Sequence, residues 1–507
     1  MTRMAVTAAA VLFSLSSHAA FAQEHATEHA APAEQLGTVH FATSCSPRVT
    51  SAFDRGVALL HSFEFGASIR TFNEVLATDS TCAMAYWGIA LSKWSNPMAP
   101  GDKPIAQLQQ GAQAVGAAEQ LAGHASERER GYIRAAGQLY DDYAHKDQRA
   151  RLIAYERAMN ELVVSQPADT EAMIFHALSL TASASPADKT YANQLKAGAI
   201  LESLWVKQPN HPGLAHYIIH SYDYPPLADK ARAAALRYAS IAPDAAHALH
   251  MPSHTFTRLG MWKESVDANT RSMKVALGNS SFAEALHAAD YAMYANLQLG
   301  RESDAKAILD GLPAIAARFD PTAITGAAPG SAGVFALAAI PSRWVFERSA
   351  WAEAAALEPK ASAFPYTEAM TYLARSLGAS HTGDLAKARA SIDSLASIQQ
   401  RLSAKGETYW AEQVAIQQLA ARAWLDLAEH RNSDALMHMR EAATREDATE
   451  KSAVTPGPLA PARELLGDML VELKRPAEAI VEYRATLEKE PNRRHARERA
   501  AGTPSRG

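Results

Sequence analysis

The fold is decided near the end of the chain, by the stretch ARELLGDMLVELKRPAEAIVEYRATLEKEPN at residues 462–492. Gly467, Ala479 and Tyr483 mark this stretch, and Pro491 follows them. Far upstream, residues 55–88 place a glycine, a small residue and an aromatic residue with the same offsets. Self-similarity of this kind indicates an array of repeated structural units. Because alanine is frequent and alternating β-branched runs are rare, the units are predicted to be helical.

Shorter copies of the turn between two helices lie between these stretches, as RLGMWKESVDAN at 258–269, QLGRESDAKAIL at 298–309 and, more loosely, ERSAWAEAAALEP at 347–359. With these copies, most of residues 49–493 resembles the tetratricopeptide repeat family, as an exported bacterial member. The resemblance implies an all-α, right-handed solenoid of about ten helix-turn-helix repeats with a concave inner wall. Neighbouring pairs must stack, since one helix pair cannot bury its apolar stripe alone.

This pattern divides the chain into segments. We expect an N-terminal and central array at 49–320 that carries a histidine-rich groove, a Gly-rich loop at 321–334, a C-terminal array at 335–493 and a disordered tail at 494–507. The 507 residues carry a net charge of −5. No basic field indicates nucleic acid as a partner.

The first residues indicate export. Arg3 precedes a short apolar run from Met4 to Leu15, and Ala20 and Ala22 flank Phe21 as at a cleavage site. We therefore predict a signal peptide at 1–22, a disordered lead and N-terminal arm at 23–48, and a periplasmic or secreted protein. No stretch is long enough for a transmembrane segment.

The only two cysteines are Cys45 and Cys82. In an oxidising compartment a disulfide between them is expected, and the alternative is two buried free thiols.

Histidines are concentrated in HALHMPSHTFTRLG at 247–260. With Gly260 as the turn glycine, its three histidines share one side of a helix that begins near Ala246. Anchoring the neighbouring repeats on Pro243 and Gly300 puts further polar residues on the same face. In the tetratricopeptide family this face lines the groove. The resulting candidate metal ligands are His216, His220, His247, His250, His254, His287 and Asp290.

Histidines one turn apart on a helix can hold a divalent transition metal such as zinc, copper, iron or manganese. There are enough ligands for one or two ions, or for one ion with an orienting outer shell. For an enzyme, Asp290 or Asp223 would orient a histidine or act as base, and Tyr294 would donate a proton or hydrogen bond. Any catalysis would have to come from the metal and its water, because no recognised catalytic motif is present.

Two readings without a metal stay open. The polar groove could bind a small molecule, a peptide or a periplasmic protein partner, or the histidines could be a metal-free catalytic or pH-sensing cluster. Further groove candidates, which structural salt bridges between helices would equally explain, are Arg343, Glu347, Glu464, Asp468 and Glu171.

Overall fold

The structure is a computed structural model that describes residues 34–99 and 101–502. The predicted signal peptide at 1–22 and residues 23–33 of the predicted lead lie outside the described residues. The described residues form 24 α-helices and three short 3-10 helices, at Pro47–Val49, Ala122–His124 and Ala228–Ala231, and contain no β-strand. The all-α prediction is confirmed.

The helices follow one another as antiparallel neighbours that pack in pairs. In the first half of the array these pairs are α1 (Thr50–His61) with α2 (Phe65–Thr78), α3 (Ala83–Trp94) with α4 (Ile105–Gln120), α5 (Glu127–Gln138) with α6 (Gln148–Ser165), α7 (Thr170–Ser183) with α8 (Ala192–Trp205), and α9 (Pro212–Ser221) with α10 (Arg232–Ile241).

The central pair has a divided first helix, because Pro252 has no N–H group to continue the hydrogen-bond ladder. The remaining elements are α11 (Ala246–His250) and α12 (Pro252–Arg258) with α13 (Trp262–Gly278), α14 (Phe282–Gln298) with α15 (Glu302–Ala316), α16 (Gly330–Glu347) with α17 (Trp351–Ala355), α18 (Pro365–Thr382) with α19 (Leu385–Ala404), α20 (Thr408–Ala428) with α21 (Asn432–Asp447), α22 (Ala462–Glu472) with α23 (Pro476–Lys489), and finally α24 (Arg494–Ala500).

The glycine and the aromatic residue that mark the repeat make the same contact at both ends of the array. A Cβ atom on Gly56 would lie 2.9 Å from the ring of Phe72, and one on Gly467 would lie 2.6 Å from the ring of Tyr483. In both pairs the glycine lets the aromatic ring of the second helix press against the first helix. This shared contact explains the repeated offsets in the sequence.

First helices of neighbouring pairs also contact one another, as α14 does α16 and α16 does α18. The buried apolar residues form two large clusters, one made mainly by residues 36–268 and one by residues 283–496, where the tetratricopeptide resemblance implies a single continuous core. The first helices α1, α7 and α9 meet as well, which brings residues far apart in sequence to the centre.

The C-terminal end of the array returns to the middle of the chain. Trp262 donates a hydrogen bond from Nε1 to the carbonyl of Asn492 at 3.1 Å. The backbone N–H of Arg494 donates to Oε1 of Gln298 at 2.9 Å. Residues 448–461, between α21 and α22, are therefore enclosed between the central and the last repeats.

Residues 35–48 form a packed arm, since Phe41 is 3% exposed and its ring lies against Phe53, Trp87 and Tyr132. The tail predicted to be disordered at 494–507 begins with helix α24, so that prediction is wrong for its first residues. Residues 317–329 connect α15 to α16, so the Gly-rich loop predicted at 321–334 lies between two helix pairs, and its last residues belong to α16.

Cys45 and Cys82 are joined by a disulfide, which ties residues 35–48 to the start of α3. Among the described residues, no helix combines the length and the apolar character that crossing a membrane requires.

Candidate metal centre

Six histidines from the first helices of three consecutive pairs meet in the interior. α9 provides His216 and His220, α11 and α12 provide His247, His250 and His254, and α14 provides His287. Their exposed fractions lie between 0% and 7%. The prediction that they converge agrees with the structure, in which other parts of the chain cover the groove that they line.

The histidines form two triads. The first triad is His216, His220 and His247, and the second triad is His250, His254 and His287. Within each triad, one candidate ligand atom per residue lies within 4.8 Å of the others. The triads are neighbours, since the ring centroids of His247 and His250 are 5.9 Å apart.

Protein oxygens fix the tautomers in the first triad. Nδ1 of His216 lies 2.6 Å from the carbonyl oxygen of His61, and Nδ1 of His247 lies 2.9 Å from Oε1 of Glu284. A carbonyl or carboxylate oxygen only accepts, so each Nδ1 carries the proton and each Nε2 keeps a lone pair. The Nε2 atoms of all three rings are buried and have no hydrogen-bond partner among the described residues.

The second triad is held in the same way. His250 donates from Nδ1 to Oδ1 of Asn269 at 2.6 Å, and His254 donates from Nδ1 to Oδ2 of Asp223 at 2.9 Å. The amide of Asn269 cannot turn, because its Nδ2 donates to the carbonyl of Ser265 at 2.7 Å. The Nε2 atoms of His250 and His254 are 3.1 Å apart. Nδ1 of His287 is buried without a partner in the described chain.

An aromatic ring backs each triad. Phe63, in the turn between α1 and α2, lies 4.4–5.7 Å between ring centroids from all three rings of the first triad. Tyr291 of α14 lies 4.9–5.2 Å from all three rings of the second triad. The Tyr291 hydroxyl donates to the carbonyls of Ala453 and Thr455, each at 3.1 Å, and so binds the 448–461 segment over the site.

The environment keeps the imidazoles neutral. Burial, reinforced by neighbouring histidines, lowers the pKa of His220 to about 3 and that of His250 to about 4. Burial also lowers the pKa of His254 to about 4, against the opposing effect of Asp223. The pKa values of His216, His247 and His287 are lowered for the same reason. Neutral imidazoles are the form that binds metal.

Two carboxylates support the ligands without belonging to either triad. Glu284 bonds His247 with one oxygen and accepts the Ala328 N–H with the other at 2.8 Å. Asp223 likewise divides its oxygens between His254 and Nε of Arg258, at 2.9 Å each. Asp223 is thus positioned to orient His254. Glu284 and Asn269 were not predicted, because the sequence pattern of the first helices alone does not indicate them.

Asp290 and Tyr294 do not belong to the centre, and their predicted roles are wrong. Both oxygens of Asp290 accept hydrogen bonds from the buried guanidinium of Arg343, at 2.7 and 3.1 Å. The hydroxyl of Tyr294 lies 3.1 Å from Nη1 of Arg493 and donates to Glu490 at 3.4 Å. Tyr291, one turn beyond His287, is the residue of α14 that shares its face.

The distant groove candidates form structural ion pairs. Arg343 also donates to Oγ1 of Thr455 at 2.8 Å and thereby holds the 448–461 segment. Arg493 pairs with Glu464 at 2.7 and 2.8 Å and with Glu347 at 2.7 Å. Asp468 accepts from the Tyr483 hydroxyl at 2.6 Å and from His495 at 2.8 Å.

Glu171 lies in a third buried cluster, not in a groove. One of its oxygens accepts from Nε2 of His61 at 3.0 Å, and the other accepts from Nε2 of His211 at 2.9 Å. Nδ1 of His61 accepts from the Tyr217 hydroxyl at 3.0 Å. These hydrogen bonds fix His61, whose carbonyl oxygen in turn holds His216.

No family model matches the sequence, and no curated protein matches it. Solved structures similar to the chain include the Cut9–Hcn1 hetero-tetramer of the APC/C, with 12% identity and a TM-score of 0.37 over 90% of this chain and 76% of that one. Yeast Tom70 has 12% identity and a TM-score of 0.34 over 90% and 94%. A human IFIT1 dimer with m7Gppp-AAAA has 11% identity and a TM-score of 0.37 over 83% and 90%.

Such likenesses concern the fold alone. The fold class follows directly from the repeated helix pairs and from the contacts of Gly56 with Phe72 and of Gly467 with Tyr483. The described residues form an α-solenoid of stacked helix pairs whose repeated contacts resemble those of the tetratricopeptide family. Each of the two triads is a group of three buried histidines that could hold a metal ion, and His61, Glu171 and His211 form a third such group.

Proposed function

We propose that this solenoid binds two transition-metal ions, one in each histidine triad, and uses them as a metal centre in its interior. Zinc, copper, iron and manganese all accept imidazole ligands, and a set of three nitrogens suits zinc and copper best.

The observation that supports the proposal is the set of unpaired Nε2 atoms in the first triad. Buried polar atoms in folded proteins almost always have a partner, and each orphan costs about 1–3 kcal/mol. The Nε2 lone pairs of His216 and His247, which share a buried space, also repel one another. A cation between them removes both penalties, and the low pKa values of these rings make a metal ion a better candidate than a proton.

The hydrogen bonds behind the rings have the form of an outer ligand shell. Metal-binding histidines commonly donate their second N–H to a carboxylate or a carbonyl oxygen, which fixes the tautomer and raises ligand basicity. His216, His247 and His254 all do so here. Four of the six rings are held in this way if His250, which donates to Asn269, is included.

Three protein ligands leave a coordination position open for water or a substrate. This arrangement is compatible with an enzyme in which a metal ion activates a bound molecule. In that enzyme Asp223 and Glu284 would keep the histidines oriented, and Phe63 and Tyr291 would exclude bulk water.

Export to a periplasm or beyond is part of the proposal. The supporting features are the signal-peptide pattern at 1–22 and the disulfide between Cys45 and Cys82, which is a bond typical of oxidising compartments.

The alternative function is a metal-free scaffold for a peptide or protein partner in the periplasm. Its support is the fold, because helical solenoids offer long binding surfaces. Such a partner would have to use residues other than the six histidines, since these are buried.

Metal analysis of tag-free protein tests the proposal. Two ions per chain are expected after reconstitution, and His220→Ala or His287→Ala should each reduce this to one ion. His381→Ala is the matched control, because His381 is also a largely buried histidine but lies between Trp351 and Trp424, outside the triads. Absence of metal from reconstituted, folded protein would favour the scaffold.

A further inference from the structure

A cavity of about 250 Å³ lies beside the second triad, where the C-terminal repeats close onto the centre. Its walls come from the segment after α9, from α12, from α20 and from the region between α21 and α23. Arg258, Lys451 and Thr455 line its inner side. Arg258 contacts Asp223, the residue that orients His254, and Thr455 contacts Tyr291. The cavity is thus separated from the second triad only by the residues that support it.

Two cations on the inner wall share a single carboxylate. Arg258 donates from Nε to Oδ1 of Asp223 at 2.9 Å, and Nζ of Lys451 lies 3.8 Å from the same oxygen. The other oxygen of Asp223 is already used by His254. Arg258 is 8% exposed and the Lys451 side chain 7%, so water offsets little of their charge. Direct contact with Asp223 therefore balances only one of these two positive charges, and Glu490 acts on both cations from a longer distance.

Two carboxyl groups of the same cavity lack a cationic partner. Within the described chain, neither Glu446 nor Glu490 has a Lys, Arg or His nitrogen within 4.0 Å. Glu446 accepts the Ala462 N–H at 2.8 Å, and burial raises its pKa to about 7. Burial raises the pKa of Glu490 as well. Such carboxyl groups can accept hydrogen bonds from an amino or hydroxyl group of a ligand.

The remaining charges of the cavity already have partners at salt-bridge distance. Arg463 and Lys489 both pair with Asp447, and Glu450 pairs with Lys189 outside the cavity. The groups with the fewest direct partners are therefore the cations Lys451 and Arg258, which share Asp223, and the carboxyl groups Glu446 and Glu490, which meet no cation within 4.0 Å in the described chain.

We infer that this cavity binds a small organic carboxylate that carries an amino or hydroxyl group. Its carboxylate lies against Lys451 and Arg258, and its donor group faces Glu446 or Glu490. The inference rests on the proposed function in one respect, since the ligand is the molecule that approaches the metal centre. The metal ions would strengthen its binding, since neutral imidazoles leave their charge uncompensated, but the wall cations attract it without them.

Calorimetric titration of the full-length protein, with metal and without it, tests the inference. L-Malate and L-glutamate are the probes, succinate is the probe without the donor group, and 1,4-diaminobutane is the probe without a carboxylate. We expect malate or glutamate to bind at least threefold more tightly than succinate, and the diamine not to bind.

Substitutions locate the site. Lys451→Gln should weaken the binding of the better probe about tenfold or more, which corresponds to about 1.4 kcal/mol. Lys489→Gln, which changes an exposed and already paired lysine of the same cavity, should change it less than about twofold. Glu490→Gln should reduce the preference for malate or glutamate over succinate, and thermal melts identify any variant that does not fold.

The inference is overturned if none of the carboxylates binds to either form of the protein, if the diamine binds most tightly, or if Lys451→Gln has no effect in a folded variant. The metal content of the same samples distinguishes failure of this inference from failure of the proposed function. Carboxylate binding to protein that takes up no metal would contradict the proposed function alone, and metal uptake without carboxylate binding would contradict this inference alone.

Discussion

His250 and His254 face each other with their Nε2 atoms 3.1 Å apart, while the Nδ1 atom of each donates to a side-chain oxygen. If both Nδ1 atoms carry the proton, both Nε2 atoms present lone pairs to the same small space. Only a shared proton or a bound cation makes this approach favourable. Because burial lowers the pKa of both rings to about 4, a metal ion is the cation that fits at neutral pH.

Asp223 and Glu284, the carboxylates that orient the histidines, should each affect the binding of a different metal ion. Asp223→Asn weakens the hydrogen bond that orients His254, so we expect the metal affinity of the second triad to fall about 10–100-fold. Glu284→Gln should do the same to the first triad through His247. A chelator competition that resolves two affinities measures both effects, and each variant is the control for the other. An equal loss at both sites would contradict the division into two triads.

Metal-free protein should lose stability in mild acid. The unfolded chain binds protons at its histidines near pH 6.5, but the folded chain does not protonate His220 until about pH 3, nor His250 and His254 until about pH 4. The unfolded state therefore binds more protons in this window, so the contribution of these histidines is fully present above pH 6.5 and is lost as the pH falls towards 4.

Each such histidine contributes about 1.4 kcal/mol per pH unit to the free energy of unfolding in that window. Urea unfolding at a series of pH values measures the slope. His220→Gln should reduce the slope by about one proton, and His381→Gln should do the same, because burial also lowers the pKa of His381 to about 4. A free energy of unfolding that did not fall between pH 6.5 and 4 would show that the rings are already protonated or exposed.

Tyr291→Phe should weaken the attachment of the 448–461 segment without removing metal. The variant keeps the ring that backs the second triad but loses the hydroxyl bonded to the carbonyls of Ala453 and Thr455. We expect the free energy of unfolding to fall by about 1–3 kcal/mol, with two ions still bound. Hydrogen exchange should rise most in residues 448–461. Loss of one ion in this variant would mean that the hydroxyl itself is a ligand.

Asp290→Asn should behave as a structural substitution. Asp290 and Arg343 are both fully buried, and breaking such a pair typically costs about 3–5 kcal/mol. Metal stoichiometry should stay at two in the folded fraction, as measured by elemental analysis beside a denaturation curve. A stable variant that had lost metal would restore Asp290 as a ligand.

The helix pairs and the convergence of the histidines could be predicted because both depend on local spacing. Pro243, Gly260 and Gly300 mark where helices begin or turn, and these marks are enough to place histidines of three first helices on one face. In α14 the prediction failed for Asp290, because Arg343 of a neighbouring helix binds its carboxylate, and the residues of α14 at the second triad are His287 and Tyr291.

Contacts between distant segments could not be predicted in this way. Glu284 is held by the backbone of Ala328, and Asn269 of α13 bonds His250 of α11, and neither relationship follows from the spacing of the first helices. The burial of the site could not be predicted from helix spacing either. Phe63 and the 448–461 segment cover the histidines only because both ends of the array return to its centre.

The most direct test of the central claim is metal analysis of reconstituted, tag-free protein combined with an X-ray absorption spectrum at the edge of the bound metal. We predict two ions per chain, with a first shell of about three imidazole nitrogens per ion. A folded protein that holds no metal, or a spectrum whose first shell contains no imidazole nitrogen, would contradict the proposal.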